Sequence, residues 1–285
     1  MSNPLPARLQ LGPATLRVPD AGRAAAFYVD KVGLQRLEQT PSRLTLGAGG
    51  EAVLILEIQP GLAPRRKDET GLYHVAILLP DRPALGGTIA RLAANDVRLG
   101  AADHLVSEAI YLWDDDNNGI EIYRDRPRGE WGWREGTVQM ANRPLDFPGL
   151  LSQQDVAALA ANPMPRGTRI GHVHLQVDDI AKASAFYCDL VGFEKTATMP
   201  GALFVSAGGY HHHLAFNVWD SRKGSLPSPD TAGLVSLELD LPEERDVAAL
   251  AARLEAANVA VAKTGARELR FIDPWRADVI VRVTG

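Results

Sequence analysis

Two copies of one short motif decide the architecture of this chain: FYVDKVGL at residues 27–34 and FYCDLVGF at residues 186–193. Five of the eight positions are identical, and the two copies lie 159 residues apart. A second pair of similar segments begins at residues 71 and 233, with an offset of 162. Internal similarity of this kind indicates repeated structural units. We therefore expect two related halves in the 285-residue chain, each made of two units.

The third unit shows the expected plan of a unit most clearly. Residues 169–177 alternate between apolar and polar side chains, which is typical of a half-buried strand. An alanine-rich helix is expected from Ala181 to Leu190, and Gly192 is placed to end it. Short strands should follow, including 203–206 and 211–218.

The second unit repeats this plan, with a strand at 72–79, a helix at about 83–95 and strands at about 104–112 and 119–124. We therefore predict an α+β fold of four βαβββ units in two domains. The expected boundaries are 8–126 for the first domain (units 8–60 and 70–126), 127–166 for an ordered connector, and 167–285 for the second domain (units 167–219 and 232–284).

Composition and charge exclude several classes of protein. Hydrophobic residues make up 46% of the chain and charged residues 23%, which is typical of a globular protein and not of a disordered one. The formal net charge of −5 and the lack of a basic stretch argue against nucleic-acid binding. No apolar run is long enough to span a membrane, and the chain start lacks a secretory pattern. With Cys188 as its single cysteine, the chain is expected to be cytoplasmic.

The histidines point to the chemistry because all seven fall in units two and three. Alignment of the units places His74 and His172 at the same position of the first strand. The outer units have Pro13 and Ser236 at that position, and neither is a typical metal ligand. A histidine pair at equivalent positions of the two central units therefore suggests a shared role.

Glu121 supplies the third candidate ligand. It is a carboxylate on an otherwise apolar last strand of unit two, where unit four has Ile280. Two imidazoles and one carboxylate form the facial triad that suits Fe(II) and leaves positions open for other ligands. Units two and three would have to pair face to face for His172 to reach the other two residues. His174 lies on the same strand face as His172 and is an alternative ligand.

Two further segments carry a family resemblance. Ala102-Asp103-His104 is followed after five residues by Ile110-Tyr111, after two more by Asp114, and then by Glu121. The second segment is YHHHLAF at 210–216. Both resemble signatures of the extradiol ring-cleavage dioxygenases, within the vicinal-oxygen-chelate superfamily that also holds glyoxalase I and the bleomycin-binding proteins. Together with the repeats, they most resemble the bacterial two-domain catechol 2,3-dioxygenases.

The resemblance implies curved mixed sheets around a cleft and a ferrous ion, or Mn(II), held by His74, His172 and Glu121. In many extradiol enzymes the site lies wholly within the C-terminal half, whereas here the ligands come from both halves. The sequence also departs from the signature at Asp115 and Asn117, where the family prefers Pro and Gly. Those two differences affect a turn and not a ligand position.

The resemblance also implies roles for three residues that are not ligands. His212, selected by its spacing from Leu214-Ala215-Phe216, would take and return the catechol proton. Tyr111 would hydrogen-bond the bound catecholate or the oxygen intermediate, and His104 would contact the substrate or donate a proton in the later steps. His211 and His213 are expected on the opposite strand face from His212, although either neighbour is an alternative acid–base group.

The implied reaction inserts O₂ into a catechol-type ring beside one hydroxyl. Its partners would be a small aromatic diol and O₂, with no nucleic acid and no membrane, in a chain that could form a homo-oligomer. Two alternatives remain open at this point. One is a metal-dependent isomerase or lyase of the glyoxalase type, which would usually want a fourth protein ligand. The other is a ligand-sequestering protein on the same fold, which would need no metal.

Overall fold

The computed structural model describes residues 4–284 and contains two curved mixed sheets flanked by helices. Four βαβββ units build them, which confirms the predicted α+β fold. Between residues 4 and 284, no helix has the length and apolar character that crossing a membrane requires.

Units two and three form one sheet, which we call the central-unit sheet. It has eight strands, in the spatial order Glu194–Met199, Ala202–Ser206, Leu214–Asn217, Arg169–Gln176, Gly71–Leu79, Gly119–Asp125, Ser107–Trp113 and Gly100–Asp103. The two units join where Arg169–Gln176 runs antiparallel to Gly71–Leu79. Hydrogen bonds between these two first strands continue one sheet across both units, so the units meet edge to edge. The expectation of face-to-face pairing is wrong.

Units one and four form the outer-unit sheet in the same way. Its main path has the order Ala262–Lys263, Glu268–Ile272, Asp278–Val283, Gly233–Leu241, Ala14–Val18, Glu51–Ile58, Arg43–Ala48 and Gln35–Thr40, and Gln10–Leu11 pairs beside Gly233–Leu241. Each sheet thus takes one unit from each half of the chain. The connector adds a small hairpin of Trp133–Arg134 and Thr137–Val138.

Helices cover the sheets and enclose an apolar core that is shared by both halves. They are Ala21–Ala25 with a π-helix at Ala26–Val32, Arg82–Ala94, a 3₁₀ turn at Arg128–Glu130, Phe147–Leu151, Val156–Ala161, Ile180–Ala183 with a π-helix at Ser184–Val191, and Glu244–Ala256. The helix expected at 181–190 is therefore mostly π-helical, and Gly192 ends it with a φ of +105°. The repeated FY motif lies in this π-helical segment of both halves.

The tyrosine of each motif copy explains why the motif is repeated. Tyr28 donates a hydrogen bond to Asp114 at 2.9 Å, and Tyr187 donates one to Asp273 at 2.8 Å. Both tyrosines are fully buried, and each acceptor lies in the next unit along the chain. The acidic residue of the family signature, Asp114, is therefore a structural anchor between units one and two.

Asp273 should make stability depend on pH. Burial raises the pKa of this carboxyl to about 6, from an ordinary value near 3.8. The folded chain therefore holds a proton that the unfolded chain has released, and this contribution to stability is lost as the pH rises from about 4 to about 6. The loss amounts to about 3 kcal/mol.

We expect Asp273→Asn to remove this part of the pH dependence, because the amide does not titrate. Between pH 4 and pH 7, the change in the free energy of unfolding measured by urea titration should be about 3 kcal/mol more positive in the variant than in the parent. Glu51→Gln, at an exposed strand end, is the matched control and should keep the parental slope. An unchanged slope in Asp273→Asn would contradict the prediction.

Candidate metal centre and cavity

The three predicted ligands lie on three neighbouring strands of the central-unit sheet. Residues His172, Ala76 and Glu121 follow one another in register across these strands, and His74 is two residues before Ala76 on the middle strand. Side chains two apart on a strand share a face, so His74 projects on the same side as this row. The small side chain of Ala76 leaves the space between the three longer ones open.

The donor atoms of these residues converge closely. Nε2 of His74 and Nε2 of His172 each lie 3.0 Å from Oε2 of Glu121, and the two nitrogens are 3.3 Å apart. Two ligands bound about 2.1 Å from one ion and at right angles would be about 3.0 Å apart. The donor set and its spacing therefore fit three adjacent positions around one divalent cation, and within residues 4–284 this is the group of His, Cys, Asp and Glu side chains that could hold one.

The charges of the cluster also suit a cation. All three side chains are buried. Burial disfavours the charged form of Glu121, but His172 and His74 outweigh it and hold the pKa of the carboxyl well below its ordinary range. Burial lowers the pKa of His74, although the carboxylate opposes this effect. An ionised carboxylate and a neutral imidazole are the forms that bind metals.

His174, the alternative ligand, is engaged elsewhere. Its Nε2 lies 3.0 Å from Nδ2 of Asn217, and the ring packs against Tyr73 and Trp219. The amide of Asn217 therefore competes for the ring nitrogen that a metal would use. Burial lowers the pKa of His174 well below its ordinary value, so that the ring is neutral.

A cavity of about 470 Å³ opens over the three donors. All six candidate site residues line it, together with His174. Its walls are largely apolar and include Leu112, Ile120 and Phe204, while Trp113 and Trp219 are half exposed at the rim. A concave, largely apolar lining with a few convergent polar groups is typical of a small-molecule site.

Tyr111 and His104 form a pair at one side of the cavity. Nε2 of His104 lies 2.6 Å from the Tyr111 hydroxyl, and Nδ1 of His104 lies 3.0 Å from the carbonyl oxygen of Ala141. Because a carbonyl only accepts, Nδ1 carries the proton and Nε2 of the neutral ring accepts from the tyrosine. Burial, with the charge of Glu121, raises the pKa of Tyr111 well above its ordinary value, so the phenol stays protonated.

His104 lies outside the strand that was predicted at 104–112. That strand begins at Ser107, and the preceding Leu105 has a φ of +70° in a tight turn. Asp103 stabilises the turn by accepting a hydrogen bond from the Leu105 amide at 2.8 Å. The turn directs the His104 ring back towards Tyr111, and the connector residue Ala141 holds it there.

The histidine run at 211–213 also departs from prediction. The strand begins at Leu214 and not at residue 211, so the three histidines lie in a bend and do not alternate between faces. His211 is hydrogen-bonded to His212, with their Nδ1 atoms 2.8 Å apart, and the expectation that they point apart is wrong. His213 accepts a hydrogen bond from the Ala207 amide, and burial lowers its pKa to about 3.

Two residues behind the cavity, the carboxylate Asp125 and the phenol Tyr123, were not predicted from the sequence. Asp125 accepts from Tyr210 at 3.0 Å and lies 2.8 Å from Nε2 of His211. Tyr123 is 2.7 Å from the Tyr210 hydroxyl, and its ring packs on His172. The signal for finding them was the period of two along the last strand of unit two, because residues 121, 123 and 125 share one face.

Four βαβββ units paired into two curved sheets, with metal-ligating side chains on one of them, define a family of proteins. Comparison with known families identifies that family. The model of the Glyoxalase/Bleomycin resistance protein/Dioxygenase superfamily matches residues 10–122 and 169–272, and the chain belongs to that superfamily. It is 41% identical over 270 residues to a catechol-2,3-dioxygenase of Bacillus subtilis (strain 168), with 93% of each chain covered.

Solved structures show the same fold at low sequence identity. The cppA protein from Streptococcus pneumoniae TIGR4 has a TM-score of 0.58 at 12% identity, covering 96% of this chain and 99% of its own. Glyoxalase I from Zea mays has a TM-score of 0.56 at 16% identity, with 96% and 92% covered. The family model and the relative at 41% identity confirm the family resemblance that the two signature segments predicted.

Proposed function

We propose that this protein is an extradiol ring-cleavage dioxygenase that inserts O₂ into a catechol-type aromatic beside one hydroxyl. One observation carries the proposal: His74, His172 and Glu121 bring their donor atoms within 3.0–3.3 Å of one another at a cavity that also contains His212. The 41% identity to a catechol-2,3-dioxygenase supports it.

The metal would be Fe(II), or Mn(II), held by His74, His172 and Glu121. When bound, such an ion supplies a Lewis acid for both diol oxygens and electron density for O₂. These three side chains would hold the ion at the sheet, and the cavity above it would be left for substrate. The apolar walls would exclude water from the ring and limit its orientation.

His212 would act as the acid–base group. Burial lowers the pKa of His212 well below its ordinary value, with further contributions from the neighbouring histidines, so the ring is neutral and able to accept a proton. It would take the proton of one diol hydroxyl and return it to the product. The Tyr111 oxygen, whose own hydrogen is donated to His104, would accept a hydrogen bond from the bound substrate.

The test is to load the protein with Fe(II) without air and then to add catechol and substituted catechols. O₂ uptake equal to the diol consumed, with a coloured ring-fission product, is the expected result. Iron-loaded protein that consumes no O₂ over the whole panel would contradict the proposal. Turnover of a thiol adduct without O₂, with Zn(II) or Ni(II), would favour the glyoxalase-type alternative instead.

The cavity should discriminate against acidic substrates. Among the described lining residues, Glu121 is charged and no lysine or arginine is present, so a substrate carboxylate would have no cationic partner. We expect kcat/KM for 4-methylcatechol to exceed that for 3,4-dihydroxyphenylacetate by at least about tenfold, because an unpaired charge is costly to desolvate.

Trp219→Arg offers the complementary change at the exposed rim of the cavity. It should raise kcat/KM for 3,4-dihydroxyphenylacetate and so reduce the ratio of kcat/KM between 4-methylcatechol and the acidic diol. Trp219→Phe serves as the matched neutral control. Equal kcat/KM values for both diols in the parent protein would disprove the prediction.

A cytoplasmic location and a homo-oligomeric state also remain predictions.

A further inference from the structure

A chain of three polar side chains leads away from the cavity behind His212. Nδ1 of His212 lies 2.8 Å from Nδ1 of His211, and Nε2 of His211 lies 2.8 Å from Oδ1 of Asp125. His211 is fully buried, whereas the Asp125 side chain is about one quarter exposed. The chain therefore links the candidate acid–base residue to a carboxylate near the surface.

The carboxylate sets the direction of the hydrogen bonds along this chain. An ionised carboxylate only accepts, so Nε2 of His211 must carry a hydrogen and donate it to Asp125. In a neutral ring the other nitrogen, Nδ1 of His211, is then an acceptor. Consequently Nδ1 of His212 must be the donor, and its Nε2 has no hydrogen.

The surroundings favour neutral rings and a fixed geometry. The pKa of Tyr210 is raised well above its ordinary value by burial and by Asp125, so Tyr210 donates to the second carboxylate oxygen at 3.0 Å. Rings of Trp131 and Tyr210 pack on His211, with centroids 5.2 and 4.1 Å away. His211 is fully buried, and a ring with hydrogens on both nitrogens would carry a charge that is costly to desolvate.

The remaining nitrogen of His212 is the one that can meet a substrate. His212 lines the cavity, and its Nε2 has no hydrogen-bond partner among residues 4–284 and is not sealed from the cavity. The tautomer that follows from Asp125 therefore turns an unprotonated ring nitrogen towards the space where a diol would bind.

We propose that Asp125 and His211 are positioning residues that hold His212 in the Nδ1–H tautomer, with Nε2 presented to the cavity as a base. The inference rests on the proposed function for its catalytic meaning, but the tautomer itself can be measured without any reaction. A proton that Nε2 accepts from a diol hydroxyl then leaves His212 with hydrogens on both nitrogens. Its Nδ1–H stays bonded to His211, which is supported in turn by Asp125.

The test uses full-length, metal-free protein labelled with ¹⁵N at histidine. Long-range ¹H–¹⁵N spectra distinguish protonated from unprotonated ring nitrogens, and a His212→Asn spectrum assigns the His212 signals. We expect His212 of the parent protein to be the Nδ1–H tautomer. Asp125→Leu and His211→Phe should each populate the Nε2–H form.

Activity measurements add a second readout. In the iron-loaded enzyme both variants should lower kcat by about 10–100-fold, part of the range for acid–base catalysis, with iron content and KM retained. Asp125→Asn keeps an oxygen that can accept from His211, so it should restore most of kcat. His213→Gln, which lies beside this chain of hydrogen bonds but not in it, is the matched control, with the parental tautomer and kcat within about threefold.

An Nε2–H tautomer in the parent protein would overturn the inference, because Nδ1 of His211 would then donate to His212, with His211 cationic or Asp125 protonated. Parental tautomer and kcat in Asp125→Leu and His211→Phe would overturn it as well. If the parent protein shows no dioxygenase activity at all, the proposed function fails while the spectra still decide the inference.

Discussion

Replacement of His172 by alanine is expected to remove metal binding and with it all dioxygenase activity. His172 is 1% exposed, and its Nε2 is one of the three converging donors. With it removed, two donors remain, and the affinity for Fe(II) or Mn(II) should fall by well over about 100-fold, more than for a residue that merely supports a ligand. The measurement is metal content after gel filtration, together with a metal-binding titration.

His174→Ala is the matched control for this experiment. His174 lies two residues further along the same strand, is equally buried, and binds Asn217 through the nitrogen that a metal would need. The variant should retain about one metal ion per chain. Metal loss in His174→Ala, with retention in His172→Ala, would exchange the roles of the two histidines. Retention in both would argue against a centre shared by the two halves.

Replacement of His212 by phenylalanine should lower kcat by about 10²–10⁴-fold, the range expected when a general acid–base group is lost. The metal content should not change, because His212 is not one of the three donors. KM should change little if the diol is held by the metal and the apolar walls. Steady-state O₂ uptake, at saturating diol and with iron content measured on the same sample, separates these effects.

His213→Gln is the control for His212→Phe. His213 accepts a hydrogen bond from the Ala207 amide and is not among the residues that line the cavity. Because a glutamine oxygen can also accept from that amide, kcat should stay within about threefold of the parent value. If kcat fell in His213→Gln and not in His212→Phe, the choice of acid–base residue from the Leu214-Ala215-Phe216 spacing would be wrong.

Local patterns account for most of what was predicted correctly about the strands and the donors. Alternation along 169–177 identifies the first strand of unit three, the shared plan of the units predicts its counterpart at 72–79, and the repeat alignment selects His74 and His172 from seven histidines. Alternation failed at residues 104 and 211–213, where short turns precede the strands. There the direction of the chain depends on the turn at Leu105 and on the bend before Leu214. No periodic pattern in the sequence predicts either of them.

Pairing across the two halves could not be derived from local patterns. Which strands hydrogen-bond to one another is decided by long-range packing, and here Arg169–Gln176 pairs with Gly71–Leu79 of the other half. Gly171 permits this close approach, since a side chain at that position would meet the Tyr123 hydroxyl and Leu78. The outer units pair by the same rule, but without histidines on their first strands.

By itself, the sequence determined the four-unit plan, the superfamily and the residue types of the candidate centre, because repeats and spacing are properties of neighbours along the chain. Tertiary structure alone decided that the donor atoms converge to 3.0–3.3 Å and that Asp125 stands behind His212. The physical reason is that a hydrogen bond or a coordination site depends on separations of a few tenths of an ångström. Such separations arise from the register and curvature of paired strands, and these are set by the packing of the whole molecule.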